Sequence, residues 1–334
     1  MKNLLISGGY GFIGSNFIHY LVQHYPEYKI INIDNLSFAA NPENLAGLNN
    51  NENYTFIHAD ISDEITVAKI LRDFDIDTII NFAAESHVDR SIINPQNFIE
   101  SNIVGTYVLL EEAKKYWLEK NNLLPEKVLF YQISTDEVYG SLTKEAPAFT
   151  ETHPYLPNSP YAATKASADH LVHSYHHTYG LPILISHCSN NYGPRQHREK
   201  FIPTVIYSCL EQKPIPIYGD GSNIRDWLYV DDHCRAIDFL LKNGERGERY
   251  NIGGGVEKNN KALVHLICEL MQEYVPCKKS QYEQLISFVP DRLGHDWRYA
   301  IDFTKLNKLG WQPKHQLESA LRKTIEFYLN QFSL

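Results

Sequence analysis

The run Gly8-Gly9-Tyr10-Gly11-Phe12-Ile13-Gly14, set between the apolar stretch Asn3–Ser7 and a helical stretch, constrains the fold of this chain more than any other feature. Strand, glycines and helix in that order give a tight turn, a backbone that a pyrophosphate can approach closely, and free amides at a helix start. Gly8, Gly11, Phe12, Ile13 and Gly14 are therefore expected to hold a dinucleotide. Asp34 ends the next apolar run, where a carboxylate can bind both ribose hydroxyls. No Lys or Arg occurs from residue 30 to 68 to meet a 2′-phosphate, which favours NAD over NADP. Asp60-Ile61, closing the third run, are placed beside the adenine, with a plain turn role for Asp60 as the alternative.

The alternation continues. Asn3–Ser7, Lys29–Ile33, Tyr54–His58, Asp77–Asn81, Lys127–Ile133 and Pro182–His187 read as strands too apolar to have a solvated face. Pro95–Trp117 and Pro160–Tyr179 read as long crossover helices, each opened by a proline near its first turn. This predicts an α/β fold, a Rossmann-like doubly wound parallel sheet. After about residue 190 the regularity breaks: Pro194, Pro203, Pro214 and Pro216 punctuate short elements, and Lys261–Tyr274 and Gln316–Phe332 read as helices. The predicted division is a cofactor domain over 1–190 and a smaller, mixed substrate lobe over 191–334, with room for segments that return to the first domain.

The bulk properties exclude several classes. The chain has 334 residues, 43% hydrophobic and 21% charged, the balance of an ordinary globular protein. No apolar run approaches a membrane span, and strand-like sequence from Asn3 leaves no room for a signal peptide, so a cytoplasmic location is expected. Five scattered cysteines without Cys-x-x-Cys spacing fit neither a disulfide framework nor a zinc ribbon. A net charge of −9 argues against nucleic acid as a partner. His173 and His177 have a zinc-like spacing on one predicted helix, but no third ligand accompanies them, and no metal is expected.

Two unlike catalytic sets lie close together. Tyr161-Ala-Ala-Thr-Lys165 puts a phenol and an ammonium on one helix face, where Lys165 and a nicotinamide cation can favour the phenolate, giving a base for oxidising an alcohol. Ser134-Thr135-Asp136-Glu137-Val138-Tyr139-Gly140 follows a predicted strand and supplies two adjacent carboxyls. Mutual repulsion and burial separate the pKa values of such a pair, leaving one acid and one base able to remove water.

With Ala83-Ala84-Glu85-Ser86-His87-Val88-Asp89-Arg90-Ser91, Ser189-Asn190-Asn191-Tyr192-Gly193-Pro194, Tyr218–Trp227 and Asp291-Arg292-Leu293-Gly294-His295-Asp296, these motifs resemble the extended short-chain dehydrogenases over almost the whole length. Within that superfamily the Thr135-Asp136-Glu137 triplet is similar to that of the nucleotide-sugar 4,6-dehydratases acting on dTDP-glucose; the glycine loop and Tyr-x-x-x-Lys are shared with epimerases, decarboxylases and reductases. The resemblance implies NAD as cofactor, with Ala83 beside it. It implies Thr135, Asp136, Glu137, Tyr161 and Lys165 as catalytic residues. His87, Asn191, Arg225, Asn260, Arg292 and His295 are implied for the nucleotide sugar, and a homodimer built on the two long helices is implied as the assembly. A UDP-glucose dehydratase, a 4-epimerase, and a non-catalytic NAD-binding sensor or scaffold are the alternatives. Departures from the family pattern are Ser7, Tyr10, His187 in place of a frequent arginine, Gln196-His197-Arg198 and Trp297.

Overall fold

The structure, a computed structural model, describes residues 2–278 and 281–332. Its strands are β1 (Asn3–Ser7), β2 (Lys29–Asp34), β3 (Tyr54–His58), β4 (Thr78–Asn81), β5 (Leu129–Thr135), β6 (Ile183–Cys188), β7 (Asn190–Tyr192), β8 (Ile215–Tyr218), β9 (Ile224–Tyr229), β10 (Arg249–Ile252), β11 (Glu257–Asn259) and β12 (Ile286–Val289). Seven of them form one parallel sheet in the order β10-β6-β5-β4-β1-β2-β3. The strand order reverses between β1 and β4, and the crevice at the carboxyl ends of those strands is where such a sheet holds a ligand.

The apolar runs form strands because both faces of the sheet are covered. Leu4, Ile6, Tyr131 and Ile133 pack against Phe17, Ile18 and Leu21 of the Phe12–His24 helix and Ile237 and Leu240 of the Val230–Asn243 helix. Leu5, Ile31, Ile33, Phe130 and Ile185 face the other way, onto Val67, Ile70, Leu109 and Trp117. Each such side chain contributes about 1.5–3 kcal/mol when fully buried. The Pro160–Tyr179 helix starts on Ser159, whose hydroxyl accepts from the Ala162 amide, and stops at Gly180 in the left-handed region.

A second core joins Ile202, Val205 and Ile206 of the Phe201–Glu211 helix, Leu263 and Ile267 of the Asn260–Tyr274 helix, and Leu321 and Ile325 of the Leu317–Phe332 helix. The antiparallel pair β11-β9 with β7, and the pair β12-β8, complete this lobe. After residue 190 the chain also returns to the first sheet. β10 pairs with β6, and Tyr20 and Tyr25 donate to Asp238 on the Val230–Asn243 helix at 3.1 and 2.8 Å. β10 was not among the expected strands.

The expected helix over Pro95–Trp117 is a different object. It begins as the short Gln96–Phe98 helix, widens into π turns over Ile99–Val104, returns to α geometry over Gly105–Ala113 and widens again over Lys114–Lys120. Gly105 sits where a Cβ would come within 2.5 Å of Ile61, so the helix approaches the cofactor side closely there. Among the described residues no helix is long and apolar enough to cross a membrane.

Candidate active site

The glycine loop is built by close approach. Gly8 has φ of +70°, and a Cβ there would lie 2.7 Å from the Ala83 Cα at the end of β4. A Cβ on Gly14 would overlap the Gly8 carbonyl oxygen. Gly11 caps the Phe12–His24 helix with no side-chain hydrogen bond, leaving its first amides to face the crevice. Asp34 accepts from the Tyr10 amide at 2.9 Å and the Leu36 amide at 2.9 Å. Each carboxylate oxygen keeps lone-pair capacity for a ribose hydroxyl. Gly8, Gly11, Phe12, Ile13, Gly14, Asp34, Ile61 and Ala83 all line one cleft, and this cradle fits a dinucleotide. Asp60 is not in that lining. Its carboxylate accepts from Ser62 at 2.8 and 2.7 Å and from Asn35 at 2.7 Å.

The same cleft continues to Thr135, Asp136, Glu137, Tyr161 and Lys165. β5 runs two residues beyond its expected end and delivers Thr135 as its last residue; Asp136 and Glu137 then turn on a short 3-10 segment. The Thr135 hydroxyl accepts from the Glu137 amide at 3.3 Å. Asp136 is buried, its Oδ2 lacks a partner, and Glu137 is partly open to the cleft. Burial, then the neighbouring Glu137 charge, then Asp226 hold the Asp136 carboxyl well above the usual carboxylate range. Burial also pushes Glu137 up, but Arg292, Arg225 and Lys200 oppose it. The two carboxyls thus have the unequal surroundings that an acid and a base require.

Lys165 lines the same cleft as Tyr161. Its ammonium donates to the Ile133 carbonyl at 2.7 Å, and burial pushes Tyr161 well above its ordinary value, with the Glu137 charge adding to the rise; a hydrogen bond with Thr135 works the other way. The protein alone therefore keeps a phenol at Tyr161, and a positive nicotinamide is the charge that would favour the phenolate.

The expected nucleotide-sugar residues are dispersed. Asn191 lines the cleft, its amide nitrogen donating to the Ser189 carbonyl at 3.0 Å and its oxygen accepting from His233 at 2.9 Å. Arg225 is buried beside the cleft, donating to the carbonyls of Ile224 (2.7 Å), Trp297 (3.3 Å) and Asp296 (2.8 Å) with its guanidinium 4.3 Å from the Tyr299 ring centroid. Arg292 reaches Asp89 at 3.9 Å and has a buried, unpartnered Nε. Arg225, Arg292, His87, Asn260 and His295 are all outside the lining. His87 lies 3.6 Å from Glu199, His295 is held by Asp291 at 2.5 Å, and Asn260 opens a helix with its amide on the Asn223 carbonyl at 3.0 Å. Lys200, absent from the expected set, lines the cleft and donates to the Ser86 carbonyl at 2.9 Å. No spacing rule in the sequence marks it.

A doubly wound sheet with a glycine cradle, a Tyr-x-x-x-Lys helix and an acid pair in one cleft defines an extended short-chain dehydrogenase equipped for elimination. The chain belongs to the family described as GDP-mannose 4,6 dehydratase, whose model matches residues 5–324. Among curated relatives, dTDP-glucose 4,6-dehydratase 1 of Escherichia coli (strain K12) is 50% identical over 336 residues, covering 98% of this chain and 92% of that protein. Among solved structures, dTDP-glucose 4,6-dehydratase from Bacillus anthracis str. Ames in complex with NAD has a TM-score of 0.88 at 43% identity, covering 100% of this chain and 98% of the other. DesIV, a dTDP-glucose 4,6-dehydratase from Streptomyces venezuelae with NAD and dTDP bound, gives 0.89 at 40% identity, covering 99% and 98%.

Proposed function

We propose that this chain is an NAD-dependent hydro-lyase that converts dTDP-glucose to dTDP-4-keto-6-deoxyglucose, a step toward deoxysugars. The observation that carries the reading is the Asp136-Glu137 pair, Asp136 buried and Glu137 partly open, in the same cleft as Tyr161 and Lys165. An epimerase needs only the second set.

When bound, NAD supplies the acceptor for the C4 hydride and the donor that returns it to C6. The chain's own residues do the rest. Tyr161 takes the proton of the 4-hydroxyl, Thr135 hydrogen-bonds the same oxygen, and Lys165 holds the Tyr161 helix against β5. The resulting 4-ketone acidifies C5. Glu137, partly open to the cleft and facing three cations, removes the C5 proton; Asp136, kept protonated by burial, gives its proton to the departing 6-hydroxyl as the C6–O bond breaks and water leaves. A proton then returns to C5. Because the hydride is returned, no net NADH accumulates.

Gly8, Gly11, Phe12, Ile13, Gly14, Asp34, Ile61 and Ala83 are the residues assigned to NAD. Asn191, Arg225 and Arg292 are assigned to the nucleotide sugar, the arginines because their planar forks suit phosphate oxygens. The working assembly is a cytoplasmic homodimer, formed where Ile99, Tyr107 and Tyr179 leave large apolar surface exposed on the Ile99–Lys120 and Pro160–Tyr179 segments. A side-by-side assay of dTDP-glucose, UDP-glucose and GDP-mannose, following 4-keto sugar formation, tests the substrate. The expected order puts dTDP-glucose first; faster turnover of UDP-glucose would reassign it.

A further inference from the structure

Behind the acid pair lies a buried polar cluster that the reaction as derived does not use. His187 on β6 is fully buried and Asp169, on the Pro160–Tyr179 helix one turn beyond Lys165, is 1% exposed. The hydrogen-bond directions around His187 can be worked out from its neighbours. The Asn251 side-chain nitrogen donates to two carbonyls, Phe149 at 2.9 Å and Asp302 at 3.1 Å, so its oxygen is the atom that faces Tyr139. The Tyr139 hydroxyl donates to that oxygen at 3.0 Å. With its hydrogen committed, the Tyr139 oxygen can only accept from Nδ1 of His187, 3.1 Å away.

On the other side of the ring, Nε2 lies 3.2 Å from Asp169 Oδ2 and 2.7 Å from the Tyr155 hydroxyl. A bare Nε2 would set its lone pair against a carboxylate where no water can intervene, an expensive arrangement in a core. A hydrogen on Nε2 instead gives Asp169 a donor. The same Oδ2 accepts from Ser134 Oγ at 2.6 Å, and Ser134 directly precedes Thr135-Asp136-Glu137. Tyr139, bonded to Nδ1, ends the turn that carries the acid pair.

We propose that Asp169 and His187 are positioning residues for the acid–base segment, with hydrogens on both ring nitrogens of His187 and the imidazolium neutralising the Asp169 carboxylate that holds Ser134. The pair grips the segment at both ends, Ser134 before the acids and Tyr139 after them, and fastens it to the helix bearing Tyr161 and Lys165. Tyr155 fits this state by accepting from Nε2 at 2.7 Å and turning its own hydrogen to Asp169 Oδ2, 3.4 Å away. Asp169 comes from the helix, where the Lys165 ammonium also acts on it, and Ser134 lies opposite His187 on β5. Tyr155 comes from the preceding loop, with the Arg249 guanidinium 5.7 Å and the His170 ring 5.1 Å from its ring centroid. Asn251 of β10 has its amide on Glu151 at 2.9 Å. Without the Nε2 hydrogen, Asp169 loses one of its donors and the grip on Ser134 loosens.

The activity arm of the test rests on the dehydratase reading; the spectroscopic arm does not. In the wild-type protein labelled with nitrogen-15 histidine, both ring nitrogens of His187 should resonate in the hydrogen-bearing range near neutral pH, the signals being assigned by their loss in His187→Arg. His187→Gln, which keeps hydrogen bonding but not the charge, should lower kcat about 100-fold, the loss expected when reacting groups are displaced by about 1 Å, with an unchanged KM for the nucleotide sugar. His187→Arg, with a permanent charge and donors on two sides, should restore most of kcat. A hydrogen-free ring nitrogen on His187 near neutral pH, or a Gln variant with wild-type kcat, overturns the assignment. A wild-type protein that shows the two hydrogens but does not dehydrate dTDP-glucose would instead refute the dehydratase reading.

Discussion

The Lys165 ammonium donates to the main-chain carbonyl of Ile133 at 2.7 Å, tying the helix that carries Tyr161 to the strand that ends in Thr135. Burial lowers the Lys165 pKa and the neighbouring Asp169 charge opposes that fall. Lys165→Met removes both the charge and the anchor. The expected result is a fall of about 100-fold or more in kcat, with the loss already present in the reduction of bound NAD, since the alcohol can no longer be deprotonated efficiently. Single-turnover NADH absorbance measures this step directly; undiminished reduction would remove Lys165 from it.

Asp136 should cost the protein stability above the usual carboxylate range. Its folded pKa is raised, so the folded chain holds a proton that the unfolded chain has released, and stability falls as pH rises through that window. Asp136→Asn cannot show this fall. The variant should lose activity yet melt at least about 2 °C higher than the wild type near pH 8, with the gap closing below about pH 4; a change of 1 kcal/mol is roughly 1.4 °C at this chain length. Melting curves across pH decide the matter, and a gap independent of pH would count against a protonated Asp136.

Gly14→Ala tests the cofactor cradle. The added methyl overlaps the Gly8 carbonyl oxygen and would sit 3.0 Å from the Gly9 Cα, so backbone must move where the pyrophosphate is held. NAD affinity should drop at least about tenfold, equivalent to about 1.4 kcal/mol, and calorimetric titration of NAD into the apoprotein would register it. Wild-type affinity would move the pyrophosphate elsewhere.

The dimer is tested at Tyr107, 46% exposed on the Gly105–Ala113 helix. A charge in the middle of an apolar interface is costly, so Tyr107→Glu should sediment as a monomer at micromolar concentration where the wild type is a dimer. A wild type that is itself monomeric there would reject the assembly.

The sequence makes some of this arrangement legible and hides the rest for physical reasons. β1 reads correctly to the residue because four of its five residues are buried in an apolar run, whereas β3, an edge strand with only Tyr54 buried, reads through its aromatic and β-branched residues. β10 does not, since Arg249-Tyr250-Asn251-Ile252 is short, half polar and bounded by Gly247 and Gly253; only pairing with β6 makes it a strand. Asp60 ends the third apolar run as expected, while the hydrogen bonds of its carboxylate to Ser62 and Asn35 are local contacts that spacing cannot reveal. Tyr161 and Lys165 were found by their spacing, whereas the upward shift of Tyr161 comes from burial and from Glu137, which sequence distance does not encode. His187 stood out only as a departure from a family pattern. Its meaning depends on Asp169, Tyr139, Tyr155 and Asn251 converging from different elements.

The central claim is that Glu137 and Asp136 eliminate water between C5 and C6 while a hydride moves from C4 to C6. The most direct measurement is turnover of dTDP-glucose carrying deuterium at C4, followed by a second turnover of unlabelled substrate in deuterated water. The account predicts deuterium at C6 in the first product and at C5 in the second, with Glu137→Gln still reducing NAD but forming product about 100- to 10,000-fold more slowly. Label returned to C4 with none entering C5, or full product formation by Glu137→Gln, would contradict it.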